Sequence, residues 1–120
     1  MSENTGQESA LQASSDVVSV AVLAEQLLES LPGQSSGRAA RTVMSGPRMR
    51  AVVMALAAGA EMAEHESPPA ATLHVLSGEL TVSGDGRTWR VTTGELVPIP
   101  PERHAVAAHA DSAFLLTVAL

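Results

Sequence analysis

The sequence predicts an all-β domain with one short N-terminal helix, and three observations support this fold class. From Arg38 onward, short apolar runs alternate with Gly, Pro and Ser roughly every ten residues, which is typical of all-β domains. The segment Gly84-Asp85-Gly86 separates two such runs and is a strong hairpin signal, because Asp-Gly tolerates the positive φ of tight turns. Helical periodicity occurs only upstream, between Val17 and Leu31.

Length and composition restrict the domain further. A chain of 120 residues with 45% hydrophobic content supports one modest core. Trp89 and Phe114 are the only aromatic residues, so Val, Leu, Met and Ala must fill that core. The chain has seven Arg, no Lys and thirteen acidic residues, giving a net charge of −6. Because this charge repels phosphate groups, we expect neither nucleic acid nor an anionic membrane as a partner.

The beginning of the chain predicts no secretory signal. Residues 1–15 are polar and lack a basic region followed by an apolar one, so we predict a flexible tail. No apolar run is long enough to span a bilayer, and there is no Cys, which excludes disulfides and Cys-based zinc sites. We therefore expect a cytoplasmic protein with a tail at 1–15, a helix at 16–33 and a β domain at 38–120.

The helix is predicted from apolar residues at helical spacing. Asp16 or Ser19 can cap its start, and Pro32-Gly33 ends it. We expect it to pack against the β domain, or alternatively to form a dimer contact. The apolar positions are Val20, Leu23, Leu27, Leu28 and Leu31.

Nine short strands follow the helix. The runs Met49–Leu56 and Ala113–Leu120 are apolar on both faces, which predicts either a sheet beneath the helix or a subunit interface in a homodimer. In the hairpin, Leu80 and Val82 are expected to face Val91 and Trp89 across the ladder. The predicted strands are Ala39–Met44, Met49–Leu56, Glu61–Glu66, Thr72–Leu76, Glu79–Ser83, Arg87–Val91, Leu96–Ile99, Ala105–His109 and Ala113–Leu120.

Two spaced motifs run through the β region, and together they resemble the cupin superfamily. The segment GELVPIPPERHAV is similar to the turn of the second cupin motif, shortened by one residue. The resemblance covers about Arg38–Leu120 and implies a small antiparallel cupin-type β-barrel, or jelly roll. The positions that match are Gly59, His65 and Gly78 in the first motif, and Gly94, Pro100 and His104 in the second.

The resemblance also implies a site inside the barrel, where three His and one carboxylate hold a divalent metal with open positions for water or substrate. This chain has Ser67 and Ala71 at two of those four positions, so only His65 and His104 match. Glu102 is the candidate third ligand. His74 and His109 have the opposite strand parity and are expected outside the site.

Two functions stay open from the sequence. The first is a binding module that holds a small molecule in a pocket, with a weakly held divalent metal as an option. The second is a metal-dependent oxygenase or isomerase that uses Fe, Mn, Zn or Ni on His65 and His104. A third interpretation is an interaction protein with a vestigial pocket. The predicted pocket residues are His65, Ser67, His104, Met54 and Trp89.

Overall fold

The computed structural model describes residues 17–65 and 68–120, with Glu64 and His65 described by backbone alone. Helix α1 spans Val20–Ser30, and the Ser19 hydroxyl caps it by accepting a hydrogen bond from the Val22 amide at 3.3 Å. A 3₁₀ turn at Leu31–Gly33 ends it. The predicted helix is confirmed, whereas the predicted tail and Asp16 lie outside the described residues. Within the described part of the chain, no helix is both long and apolar enough to reach across a bilayer.

Nine strands follow, each within one residue of its predicted boundaries. The hairpin turn between β5 and β6 has positive φ at Asp85 and Gly86, as its sequence predicts. The strands are β1 (Arg38–Ser45), β2 (Met49–Leu56), β3 (Glu61–His65), β4 (Ala71–Ser77), β5 (Glu79–Gly84), β6 (Arg87–Thr92), β7 (Leu96–Pro98), β8 (His104–Ala108) and β9 (Ser112–Ala119).

The strands form two antiparallel sheets arranged as a jelly roll. One has five strands in the order β1-β2-β9-β4-β7, and the other has four in the order β3-β8-β5-β6. The all-β fold class is therefore confirmed, with one correction. Among the described residues no strand of one sheet pairs with a strand of the other, so the sheets do not close into a continuous barrel. Burial of apolar side chains between the faces, rather than hydrogen bonding around a closed ring, joins the two layers.

The five-stranded sheet buries both of its faces, and this explains the doubly apolar strands. Leu56 and Phe114 face the core between the sheets, whereas Val53 and Ala113 face helix α1. Leu23 and Leu27 of the helix complete the second core. Side chains alternate along a strand, so two cores on opposite sides require apolar residues at every position. The homodimer stays a prediction.

The connections between strands define two ends of the jelly roll. At the closed end, the short connections at 57–60, 78, 93–95 and 109–111 each cross from one sheet to the other. At the opposite end lie the β1–β2 turn, the segment 68–70 before β4, the 99–103 connection and the β5–β6 hairpin. We call this second end the mouth.

Candidate functional site

His104 begins β8 and lies at the mouth on the inner face of the four-stranded sheet. It alternates in phase with the buried residues Val106 and Ala108, and only 4% of its surface is exposed. Its Nδ1 lies 3.3 Å from the backbone carbonyl of Glu102. A carbonyl can only accept, so Nδ1 carries a proton and donates in this contact.

A bulge in β3 brings the backbone of His65 into register with His104. Met62 pairs with Val106, and three residues later His65 pairs with His104, which lies only two residues from Val106. The bulge adds one residue to β3 between these two pairs, so the alternation of β3 relative to β8 shifts by one residue. The two sequence-predicted histidines are therefore cross-strand partners. Ser67, the other predicted pocket residue close to His65 in the chain, lies outside the described residues.

The mouth row continues from His104 through Gly84 to Arg87. Gly84 pairs with His104 on one side and with Arg87 on the other. A Cβ at Gly84 would lie 3.0 Å from the Arg103 carbonyl and 3.2 Å from both the His104 Cβ and the Pro100 Cγ. The missing side chain therefore lets the 99–103 connection approach the sheet and positions His104.

Arg87, Trp89 and Glu102 form a polar and aromatic cluster beside His104. The Arg87 guanidinium carbon lies 4.9 Å from the centroid of the Trp89 ring, within cation–π range. An Arg87 nitrogen lies 3.6 Å from Glu102 Oε1, which is an ion pair without hydrogen-bond contact. That buried oxygen accepts no hydrogen bond from any described residue. The cluster therefore presents both a cation and an acceptor that lacks a donor.

A cavity of about 230 Å³ lies against this cluster. Arg87 and Trp89 form one side, and the segment 97–101, which contains three prolines, forms the other. A larger groove of about 470 Å³ lies at the strand ends of β2, β4 and β9, and residues of both sheet faces line it, among them Met49 and Thr117 of the outer face and Ala71 and Val118 of the inner face. The smaller cavity includes Trp89, a predicted pocket residue, and Pro100, which packs close to Gly84 beside His104, so we place the candidate site there despite its size.

The five-stranded sheet supplies the opposite wall of the mouth. Val118 pairs with Arg50 on one side and with Ala71 on the other, so these three residues form a row. Ala71 packs against the core between the sheets. Met54, a predicted pocket residue, is half-buried and has the parity of Arg50, but it lies two rows further from the mouth and pairs with Phe114.

The other two histidines lie away from the mouth, where parity predicts them. His74 pairs with Leu115, which packs on the helix side of the five-stranded sheet. His109 lies beyond β8, is exposed, and its Nε2 contacts the hydroxyl of Thr81. Neither ring belongs to the row that contains His104.

Comparison with known proteins decides the family. The profile of the cupin domain family matches residues 52–119, which is more than half of the chain. The chain belongs to the cupin domain family. This membership confirms the resemblance drawn from the two motifs. A search of curated proteins finds no significant match to this cupin.

Solved structures show the same fold. A conserved Streptococcus pyogenes protein of unknown function is 29% identical, with a TM-score of 0.66 over 72% of this cupin and 76% of that chain. A cupin superfamily protein from Desulfitobacterium hafniense is 16% identical, with a TM-score of 0.68 over 78% and 87%. KdgF from a Halomonas species is 22% identical, with a TM-score of 0.63 over 69% and 80%. These likenesses show the fold and assign no activity.

The described residues of this cupin do not form a metal site. No group of three or more His, Asp, Glu or Cys side chains that could hold a metal ion occurs among them. Ala71 stands where the family motif has a carboxylate, and Glu102 pairs with Arg87. A tight site normally needs at least three protein ligands. Of the four motif positions, only His104 has a described side chain that could bind a metal, and one ligand is fewer than three.

The sequence analysis did not single out Arg87. Arg87 follows the hairpin directly, so the length of the hairpin makes it pair with Gly84. Only the pairing of Gly84 with His104 on its other edge reveals that Arg87 belongs to the site.

Proposed function

We propose that this cupin is a binding protein that holds a small molecule at the mouth, between its two sheets. The observation that carries the proposal is the row in which His104 and Arg87 flank Gly84 beside the Trp89-lined cavity. Such a site combines an apolar and aromatic lining with a few polar groups that orient a ligand, which is typical of small-molecule pockets.

The polar groups define what the ligand must offer. Glu102 Oε1 accepts a hydrogen bond, the Arg87 guanidinium donates, and the buried His104 ring is the third polar group of the site. A buried carboxylate oxygen without a donor is costly, so a ligand hydroxyl or N–H placed there gains free energy. The Trp89 ring and the prolines of 98–101 pack against the apolar part of the ligand.

A thermal-shift screen tests this proposal with sugars, small carboxylic acids and the amides of those acids. A ligand that binds only the folded state raises the melting temperature, by about 5 °C at ten times its Kd for a chain of this size. We expect at least one compound to do so. We also expect His104→Asn to lose most of that shift.

The matched control is His74→Asn, which changes a histidine on the outer face of the other sheet. This variant should keep the full ligand-induced shift. If His104→Asn and His74→Asn respond equally to every compound that binds, the mouth is not the binding site and the proposal is wrong.

The register of His65 with His104 favours one alternative, a metal-dependent cupin enzyme such as an oxygenase or isomerase. It would require a divalent Fe, Mn, Zn or Ni ion on these two imidazoles and on a further donor. Metal analysis of protein from cells grown with all four metals tests it. Stoichiometric metal that is absent from the His65→Ala/His104→Ala double variant would support the enzyme, and metal-free protein would count against it.

A further inference from the structure

We propose that the ligand of the mouth is a neutral pyranose sugar and that Glu102 selects it against anionic ligands. The inference rests on the proposed function, because it names the ligand class of the same site. It comes from the cavity between Trp89 and the prolines of 98–101, beside which the Glu102 oxygen that lacks a donor lies 3.6 Å from the Arg87 guanidinium.

The shape of the cavity suits one small ring with two apolar faces. Its volume of about 230 Å³ is smaller than the roughly 300 Å³ at which pockets for drug-sized ligands begin. Trp89 lies on one side, whereas Ile99 and the prolines lie on the other. The C–H groups of a pyranose ring can pack against both sides, because its hydroxyl groups point outward along the rim of the ring.

The polar groups beside the cavity require a ligand that both donates and accepts hydrogen bonds. Glu102 Oε1 is an acceptor without a donor, and the Arg87 nitrogen 3.6 Å away is a donor. A hydroxyl group does both, so two neighbouring hydroxyls of a sugar can bind both groups at once. The Glu102 side chain keeps 36% of its surface exposed, so a rotation of its carboxyl group brings Oε1 to the ligand.

The charge of Arg87 is balanced before any ligand binds. One of its terminal nitrogens lies 3.6 Å from Glu102 and 4.0 Å from Asp85, so two carboxylates share one cation. A ligand carboxylate would add a third negative charge to this group, and in its ionised form it has no donor for Oε1. A neutral sugar avoids the repulsion and supplies the donor.

Titration with matched pairs of sugars tests the inference. Trp89 is the only tryptophan of the chain, so its fluorescence reports directly on the cavity that it lines. The probes are the methyl pyranosides of glucose, galactose and mannose, each paired with the methyl glycoside of its uronic acid, in which a carboxylate replaces one hydroxymethyl group. We expect at least one neutral pyranoside to change the fluorescence saturably and to bind about tenfold more tightly than its uronate.

Glu102→Gln separates selectivity from folding. The variant keeps the size of the side chain and removes its charge, so the neutral pyranoside should bind about tenfold more weakly, the size expected for one charge-assisted hydrogen bond. The uronate should bind severalfold more tightly, because Arg87 then contacts one carboxylate fewer. A loss of structure cannot weaken one ligand and strengthen the other.

The matched control is Glu61→Gln, which makes the same change at an exposed glutamate on β3, opposite Ala107. This variant should bind both members of each pair as the wild type does. Unchanged affinities in Glu102→Gln would overturn the inference, and so would a uronate that binds the wild type more tightly than its neutral partner.

The remaining outcomes separate the inference from the proposed function. If no sugar binds but a compound of another class binds in a His104-dependent manner, the inference is wrong and the binding proposal stands. If sugars bind but His104→Asn leaves their affinity unchanged, they occupy another place and both proposals are wrong.

Discussion

The closed end and the mouth of this cupin use the same pair of sheets for different purposes. At the closed end, the row Ala108–Leu80–Val91 is apolar and buried. Two rows further along the same strands, the corresponding positions are Gly84, His104 and Arg87. The change from apolar to polar takes place within one short sheet, so this sheet buries apolar side chains at one end and carries the polar groups of the proposed site at the other.

Each end depends on a glycine, but for different reasons. Gly78 at the closed end has φ +108°, and a Cβ there would lie 2.7 Å from the Cα and Cβ of the fully buried Ser112. The Ser112 hydroxyl accepts a hydrogen bond from the Glu79 amide at 2.9 Å, which joins the start of β5 to β9. Gly84 at the mouth instead makes room for the connection that carries His104.

The largest expected effect on stability comes from Gly78→Ala, which disturbs the packing of Gly78 against Ser112 at the closed end. Positive φ and the clash with Ser112 each cost about 1–3 kcal/mol, so we expect a loss of about 3 kcal/mol or more in the free energy of unfolding. Urea denaturation measures this loss. Gly94→Ala is the control, because Gly94 also has positive φ but nothing within 4 Å of the added Cβ. Equal losses in the two variants would show that the contact with Ser112 is unimportant.

A smaller effect on stability, with a larger effect on binding, is expected from Gly84→Ala. The added methyl must displace the Arg103 carbonyl or Pro100, which we expect to cost about 1–2 kcal/mol. Because His104 follows directly, any ligand of the mouth should bind at least severalfold more weakly. Gly46→Ala is the matched change in the β1–β2 turn, where a Cβ has only ordinary contacts. Unchanged ligand affinity in Gly84→Ala would contradict the assigned site.

The smallest effect concerns pH at the closed end. Hydrogen bonds from the Thr92 amide and hydroxyl, both 2.9 Å long, lower the pKa of Glu95. A lowered folded-state pKa stabilises the fold above the unfolded-state pKa of about 4.3, and this contribution disappears as pH falls through the folded-state pKa. Melting temperatures measured from neutral to acidic pH should therefore fall less steeply in Glu95→Gln than in the wild type.

The control for the fall in melting temperature at acidic pH is Glu25→Gln on the exposed face of helix α1. It removes one charge without removing a turn hydrogen bond, so its pH profile should follow that of the wild type. If the melting temperatures of the wild type, Glu95→Gln and Glu25→Gln fall equally steeply with pH, the Thr92–Glu95 turn contributes nothing to pH-dependent stability.

The fold was largely predictable from the sequence because its signals are local. Turn residues delimit each strand, and the Leu80–Val91 and Val82–Trp89 pairs follow from the length of the hairpin. The lack of closure was not predictable, because it depends on whether strands distant in the chain meet at the sheet edges. Apolar patterning specifies which face is buried and says nothing about the gap between two edges.

The site was predictable only in part. Motif spacing singled out His65 and His104, but simple alternation from Met62 would have placed His65 on the opposite face, and only the β3 bulge restores its register with His104. A bulge of this kind leaves no reliable sequence signal. The contribution of Arg87 depends on the pairing of Gly84 with His104 on its other edge, which the order of residues alone does not reveal.

The central claim is that ligands bind at the mouth between the sheets, and backbone amide chemical-shift mapping tests it most directly. Uniformly labelled protein is titrated with the compound that gives the largest thermal shift. The account predicts the largest shifts at Gly84, Arg87 and His104, with small changes along the closed end. Shifts centred on Met49, Thr72 and Thr117 would place the ligand in the larger groove at the strand ends of β2, β4 and β9 and contradict the account.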